Sequence, residues 1–311
     1  MFALREIAIC LAFFALLYSF LSALVAVTWR LLRLLPVSKK IIADLLFALR
    51  VLPLLASIIL TLAFVVPSFQ MLEPRSVDER MGTMPVILGI CAVLLILTGC
   101  LRVIAAHRKT RRMVAQWLDG ARPMDTDGNA NTVTIRAEHG APPIVLVGVY
   151  APRVLVSEST VEILSDDELQ IALKHEFAHI QSRDNLKKLV FRFCLFPGMT
   201  ELENTWSQTT EMAADSAAVS KVGDAVDLAA ALVKLSRLLP GEATAVCTVG
   251  FMTGSISDRV ARLLAWNAAE SRDARLRPYA IPAVLITLLS VFFTYGPALR
   301  LTHEVTEWLV R

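Results

Sequence analysis

Apolar residues along this chain gather into four long runs, and the polar positions gather mainly between the third and the fourth. Residues 7–29 form an almost unbroken apolar stretch, about 23 residues where roughly 20 cross a bilayer. A cleavable signal peptide has an apolar core of only about 7–15 residues, followed by a small-x-small cleavage site. This run is longer and no such site follows it, so a retained transmembrane helix is expected. Residues 51–69 predict a second span, with Pro53 and Pro67 near its ends, and residues 85–106 a third in which Arg102 snorkels. A fourth, over 280–301, is interrupted by Pro282 and by Gly296-Pro297, which predict a kink.

The pattern changes character in the central block. A basic amphipathic stretch, 108–118, suits an anionic membrane surface. A polar loop over 125–131 follows, then three short β-like runs at 132–136, 144–147 and 154–156. Pro142-Pro143 and Ala151-Pro152 punctuate them, as expected of an edge strand or a small sheet. From Ser165 the periodicity is helical: Ser165-Asp166-Asp167-Glu168 reads as a capping box that starts a helix reaching about residue 182, and 205–221 reads as another. The expected fold is thus a mainly α membrane protein with four transmembrane helices. A cytosolic α+β domain is inserted between helices three and four. Residues 1–106 form the membrane domain, 107–278 the inserted domain, and 279–311 the fourth helix with a short outer tail.

Composition supports this reading. Hydrophobic residues make up 55% and charged ones 19%, with a mean hydropathy of +0.58, so apolar segments must be hidden in lipid. A net charge of +3 is too small to point to nucleic acid. The placement of the basic residues says more than their sum. Arg30, Arg33, Lys39 and Lys40 lie in the first connection, whereas Arg75 and Arg80 in the second are offset by Glu73, Asp78 and Glu79. Arg102, Arg108, Lys109, Arg111 and Arg112 follow the third span, and Arg272, Arg275 and Arg277 precede the fourth. The positive-inside rule then sets the N-terminus outside and the central block in the cytosol. Asp44 and Arg50 read as interfacial residues at the inner end of the second span. The five cysteines are scattered with no C-x-x-C pair, which gives no disulfide framework and no cysteine metal site.

The candidate chemistry sits on the helix that starts at Ser165. His175-Glu176-Phe177-Ala178-His179 places two imidazoles one turn apart on one face, as two ligands of a single ion require. Such a string arises by chance in only about 1% of chains of this length. Glu176, beside the first histidine, is placed to take the proton of an attacking water and pass it to the leaving amine. The helix over 205–221 offers Glu211 as a third ligand, giving a His2Glu zinc set with the fourth position left for water. Asp215, one turn further on, is placed to hydrogen-bond the free ring nitrogen of a ligand histidine. Tyr150 and Arg183 are the two candidates for stabilising the oxyanion. His107, His139 and His303 read as bystanders.

The stretch His175 to Asn185 (HEFAHIQSRDN), with Glu211-Met212-Ala213-Ala214-Asp215, resembles the BlaR/MecR-type membrane metallopeptidases. The resemblance extends to Ala151-Pro-Arg-Val-Leu-Val-Ser157, to Leu164-Ser-Asp-Asp-Glu-Leu169, to Asp258-Arg259-Val260-Ala261-Arg262-Leu263-Leu264, and to the layout of the spans. It implies zinc held by His175, His179 and Glu211, Glu176 as the base, and Asp215 as the partner of a ligand. The family is known for antirepressor sensor-transducers of β-lactam resistance. No serine-lysine acylation motif follows the fourth span, so direct β-lactam sensing is not expected.

The expected activity is that of a zinc endopeptidase at the cytosolic face of a bacterial inner membrane, in regulated proteolysis or signal transduction. Its partners would be the lipid bilayer, a protein or peptide substrate in the cytosol or membrane, and a separate sensor or repressor. The substrate would bind as an extended strand beside 144–156. The alternatives are a signalling or scaffold protein that retains the zinc fold without strong catalysis, and an HtpX-like quality-control protease.

Overall fold

Helices dominate the described residues of the computed structural model, which are 2–34, 37–72, 82–118, 122–123, 133–136, 143–238, 249–250, 256–266 and a few positions from 297 to 305. The fourth apolar run falls almost wholly outside them, as do the 125–131 loop, His139, His303 and Cys247. α1 (Phe2–Thr28) continues into a 3-10 turn (Trp29–Leu34). α2 (Lys39–Leu60), a π-helical turn (Thr61–Val65) and α3 (Val66–Leu72) run on from one another. Pro67 has no N–H to give the carbonyl four residues back, and the wider π turn falls where that bond is missing. α4 (Thr83–Leu118) joins the third apolar run to the basic stretch in a single helix.

Three segments, Leu4–Leu32, Lys39–Met71 and Thr83–Trp117, are long and apolar enough to cross a membrane. Their outer faces display Phe20, Leu24, Leu55, Ile59, Ile87, Leu94 and Leu101, each at least half exposed. Such a surface is matched by lipid and not by water. The second span differs from expectation at its start. Ser38 caps the helix by accepting from the Ile41 amide, and the polar turn from Lys39 belongs to the same helix as the apolar run.

The remaining elements form an α+β unit. A five-stranded sheet has the order β1-β2-β4-β3-β5, from β1 (Arg122–Pro123), β2 (Val133–Arg136), β3 (Ile144–Val147), β4 (Arg153–Ser157) and β5 (Val249–Gly250). Only the β2–β4 pair is parallel. The β3–β4 turn needs glycine: Gly148 has φ +92°, and a Cβ there would lie 2.6 Å from the Ala151 carbonyl oxygen. Around the sheet lie α5 (Glu158–Ile163), α6 (Asp166–Gln181), α7 (Asp184–Phe193), α8 (Thr200–Ala218), α9 (Val222–Ser236) and α10 (Ile256–Leu264).

Strand alternation splits the sheet's apolar residues between two layers. Ile144, Leu146, Val154 and Val156 join a core with Ile171 and Ala172 of α6 and Leu228 and Leu232 of α9. Val145, Val147 and Leu155 face the other way and pack with Val114 and Trp117 of α4. The basic stretch therefore covers the sheet with its apolar side while its arginines stay exposed.

A third cluster joins the two halves of the molecule. Val25, Trp29, Ile42 and Leu46 from the membrane helices pack with Phe191, Met199, Leu202 and Trp206 from α7, α8 and the turn between them. Trp206 is 1% exposed. Its replacement by alanine opens a cavity in this junction and is expected to destabilise by about 3–5 kcal/mol. Thermal unfolding of the Trp206→Ala protein in detergent should show a clear fall in Tm, whereas an unchanged Tm would mean that the junction closes over the gap.

Candidate metal centre

The helix that carries the histidines is fixed at its start by the predicted capping box. Ser165 Oγ accepts from the Glu168 amide at 3.3 Å, and Glu168 returns a carboxylate oxygen to the Ser165 amide at 2.8 Å. Asp166, Asp167 and Glu168 also complement the positive end of the helix. Lys234 of α9 bonds Glu168 at 2.6 Å and ties that end to the core. With Ile171 and Ala172 turned into the core, His175 and His179 face α8 and meet Glu211.

The three side chains converge. Their candidate ligand atoms all lie within 4.8 Å of one another, and all three residues are buried. The two Nε2 atoms are 3.2 Å apart. Glu211 Oε2 is 3.5 Å from the first and Glu211 Oε1 is 3.7 Å from the second. The other ring nitrogens face carboxylates: His175 Nδ1 is 3.0 Å from Asp215 Oδ1, and His179 Nδ1 is 2.7 Å from Asp184 Oδ2. A ring that donates its Nδ1 proton presents an Nε2 lone pair. Two such lone pairs and a carboxylate aimed at one small buried space repel one another unless a proton or a metal ion lies among them. This donor set fits a metal ion, and two imidazoles with one carboxylate are a familiar set for zinc.

The chain arranges each carboxylate by a local device. Past the end of α6, Arg183 takes a left-handed conformation with φ 54°, and this sharp turn brings Asp184 back beneath His179. Asp215 stands one helical turn after Glu211 on α8, facing His175. Arg259 of α10, 3% exposed, then grips both acids of α8. It donates through Nε and Nη2 to Asp215 at 3.0 and 2.6 Å, and its Nη1 is 3.0 Å from Glu211 Oε2. Arg262 adds a bond to Asp215 at 2.8 Å and one to the Met212 carbonyl at 3.2 Å.

These contacts set the ionisation of the site. Burial pushes Asp215 up, but the His175 ring and the Arg259 guanidinium override it and hold the carboxyl far below its usual range. Glu211 is likewise held low against burial, by His175, His179 and Arg259. Burial would depress His175, yet Asp215 and Glu211 raise it to about 9. Glu176 goes the opposite way: it is fully buried, and desolvation raises its pKa despite the neighbouring histidines. Neither of its oxygens has a hydrogen-bond partner among the described residues. A buried carboxylate left without donors is one that a bound water or a substrate N–H would satisfy.

All five residues singled out in the sequence, His175, Glu176, His179, Glu211 and Asp215, thus come together in one buried cluster. Tyr150 is 86% exposed, Arg183 is also exposed, and His107 lies on the exposed side of α4. Sequence reasoning gave no role to Asp184, Arg259 or Arg262. Asp184 was within reach as a carboxylate five residues beyond His179, but only the turn at Arg183 reveals its target. No local signal marks Arg259 as a buried arginine.

Residues 54–263 match the BlaR1 peptidase M56 family, which takes in more than half of the chain. No curated protein matches the sequence significantly. The family match covers the latter part of the second span, the third span, the sheet and every residue of the cluster, and it makes the protein a membrane-associated metallopeptidase.

Two consequences follow for metal uptake. In the metal-free protein His175 holds its proton up to about pH 9, so an incoming ion must displace that proton. Apparent affinity should rise as pH rises toward 9, by about tenfold per unit for each proton displaced. Chelator-competition titrations between pH 6 and 8 would measure this slope, and a flat profile would contradict it. Arg259→Met takes away the buried guanidinium shared by Asp215 and Glu211 and leaves Asp215 with the half-buried Arg262. Metal affinity is expected to fall about 10- to 100-fold, read by the same titration.

Proposed function

The chain belongs to the BlaR1 peptidase M56 family, and we propose that it is a zinc-dependent endopeptidase with His175, His179 and Glu211 as ligands and Glu176 as general base. The observation that carries this reading is the convergence of two Nε2 atoms and a carboxylate on one buried space, with the unpartnered Glu176 carboxylate in the same cluster. Zinc held there would supply a Lewis acid that polarises the scissile carbonyl and acidifies the attacking water. Glu176 takes the water's proton and delivers it to the leaving nitrogen; its raised pKa suits a group that must hold a proton and then release it. Asp215 and Asp184 keep the two rings in the tautomer that presents Nε2.

The substrate is a protein segment that adds as an extended strand at β3. That side of β3 carries β5, paired among the described residues at Val145 and Leu146, so an incoming strand exchanges with a short pairing. A repressor, another membrane protein and the enzyme itself are the substrates in view. The arginines and lysines flanking the spans favour a peptidase block, 107–278, on the cytosolic face of a bacterial inner membrane, followed by a fourth span.

The Glu176→Gln protein should bind zinc as the wild type does and lose about 10²–10⁴-fold in proteolytic rate. Metal analysis of both purified proteins, with cleavage of an unfolded test protein such as casein, checks this. Equal cleavage by zinc-loaded wild type and variant would remove the catalytic role of Glu176.

A further inference from the structure

Between α7 and α8 the chain turns through residues 194–199, and this corner is lodged among the membrane helices. Arg50 of α2, only 2% exposed, donates to the Cys194 carbonyl and, through Nε, to Glu203 Oε1 at 2.9 Å. Tyr18 of α1 donates to the Leu195 carbonyl at 2.7 Å, and its ring stands edge-on to Phe196 with centroids 6.3 Å apart. Gly99 of α4 lies so close that a Cβ there would sit 2.7 Å from the Phe193 carbonyl oxygen. Each of the three membrane helices holds the corner through a different contact.

The end of a helix leaves carbonyls without intrahelical donors, and where packing walls them off from water those carbonyls need donors from the protein. Arg50 and Tyr18 supply them. Arg50 also carries a charge, which Glu203 near the start of α8 answers. The ion pair is therefore a specific lock between a membrane helix and α8.

Both helices that leave the corner lead to the metal cluster. α7 begins at Asp184, the partner of His179. α8 carries Glu211, which stands about 12 Å along the helix from Glu203 at roughly 1.5 Å per residue. A second tie runs from α2 to α7: Lys187 Nζ lies 2.7 Å from Asp44 and 3.9 Å from Asp184. A close-packed helix transmits a displacement at one end to the other instead of absorbing it. The position of the 194–199 corner thus sets the positions of Asp184 and Glu211.

We propose that Arg50 is a positioning residue for the metal centre, fixing the corner and Glu203 so that α7 and α8 present Asp184 and Glu211 to the histidines. The membrane bundle is then part of the scaffold of the site. The metal-binding consequence rests on the zinc reading above, while the positional consequence does not.

The test uses the full-length protein in nanodiscs as wild type, Arg50→Met, which keeps the apolar stem, and Arg50→Lys, which keeps the charge. Hydrogen exchange is followed in the zinc-free proteins, and Zn2+ affinity is measured by chelator competition. Arg50→Met should speed exchange over 184–190 and 203–211 while leaving α9 and the β3–β4 pair as protected as in wild type. Its zinc affinity should fall about 10- to 100-fold, and Arg50→Lys should recover most of both effects. Unchanged exchange over 203–211 would overturn the proposal. So would a rise shared equally by α9, which would make Arg50 a general stabiliser. A wild type that takes up no zinc would sink the metal reading, yet the exchange pattern would still decide the role of Arg50.

Discussion

Two imidazole nitrogens 3.2 Å apart, with a carboxylate beside both, form an arrangement that water would normally break up. Here bulk solvent is kept away: His175, Glu176 and His179 are completely buried. Bringing so many ionisable groups out of solvent is unfavourable by several kcal/mol per uncompensated charge. The structure therefore has to provide counter-charges wherever an acid or base is placed. Asp215 and Asp184 answer the two rings, and Arg259 with Arg262 answer Asp215 and Glu211. Every element near the site is placed by this requirement. α6 brings the rings, α7 begins at the acid under one of them, α8 carries two acids a turn apart, and α10 delivers the guanidinium groups. Glu176 is the exception, a buried carboxylate without a partner among the described residues. That exception suits the role of general base proposed for Glu176.

The same requirement reaches into the membrane part. α7 and α8 do not end in solvent; the corner joining them is bonded to α1 and α2 and pressed against α4. The sheet, on its other face, rests on Val114 and Trp117 of the helix that continues the third span. The peptidase unit is held from two sides by the elements long and apolar enough to cross a bilayer, so the division between a membrane domain and a peptidase domain is a division of sequence more than of packing. Asp44 and Arg50 show the difference. By position they are charges at the end of an apolar run, but by contact they are the ties from α2 to α7 and α8.

Much of the fold was legible because the periodicities were strong. The three β-like runs appear as β2, β3 and β4 within a residue of their expected limits, and the capping box starts α6 where the serine stands. A turn with spacing four puts His175 and His179 on one face whatever surrounds them, so that part of the site needs no tertiary knowledge. Glu211 and Asp215 were legible for the same reason. What stayed hidden depends on distance in sequence. Asp184 becomes visible only through the left-handed turn at Arg183, and Arg259 reaches Asp215 from 44 residues away. Among the described residues β1 and β5 have two residues each, too short to show a period. The early start of α2 was missed because a hydropathy pattern marks where lipid begins and says nothing of where a helix does.

These two kinds of legibility correspond to two kinds of constraint. The residues that hold or would move a proton are fixed by chemistry at short range: two rings a turn apart, a carboxylate between them in sequence, and an acid pair a turn apart on a second helix. Such patterns tolerate almost no variation in spacing, and so they can be read one helix at a time. The residues that keep the site in place are constrained only by where their side chains arrive. Arg259 serves Asp215 from α10 because α10 packs on α9, which packs on α6, and the sequence between them enters only through that packing. Arg50 serves Glu203 because a shared core of Trp29, Leu46 and Trp206 sets α2 against α8. A metal site with this logic places its chemistry in a compact motif and its electrostatic support in residues that only the folded chain brings near.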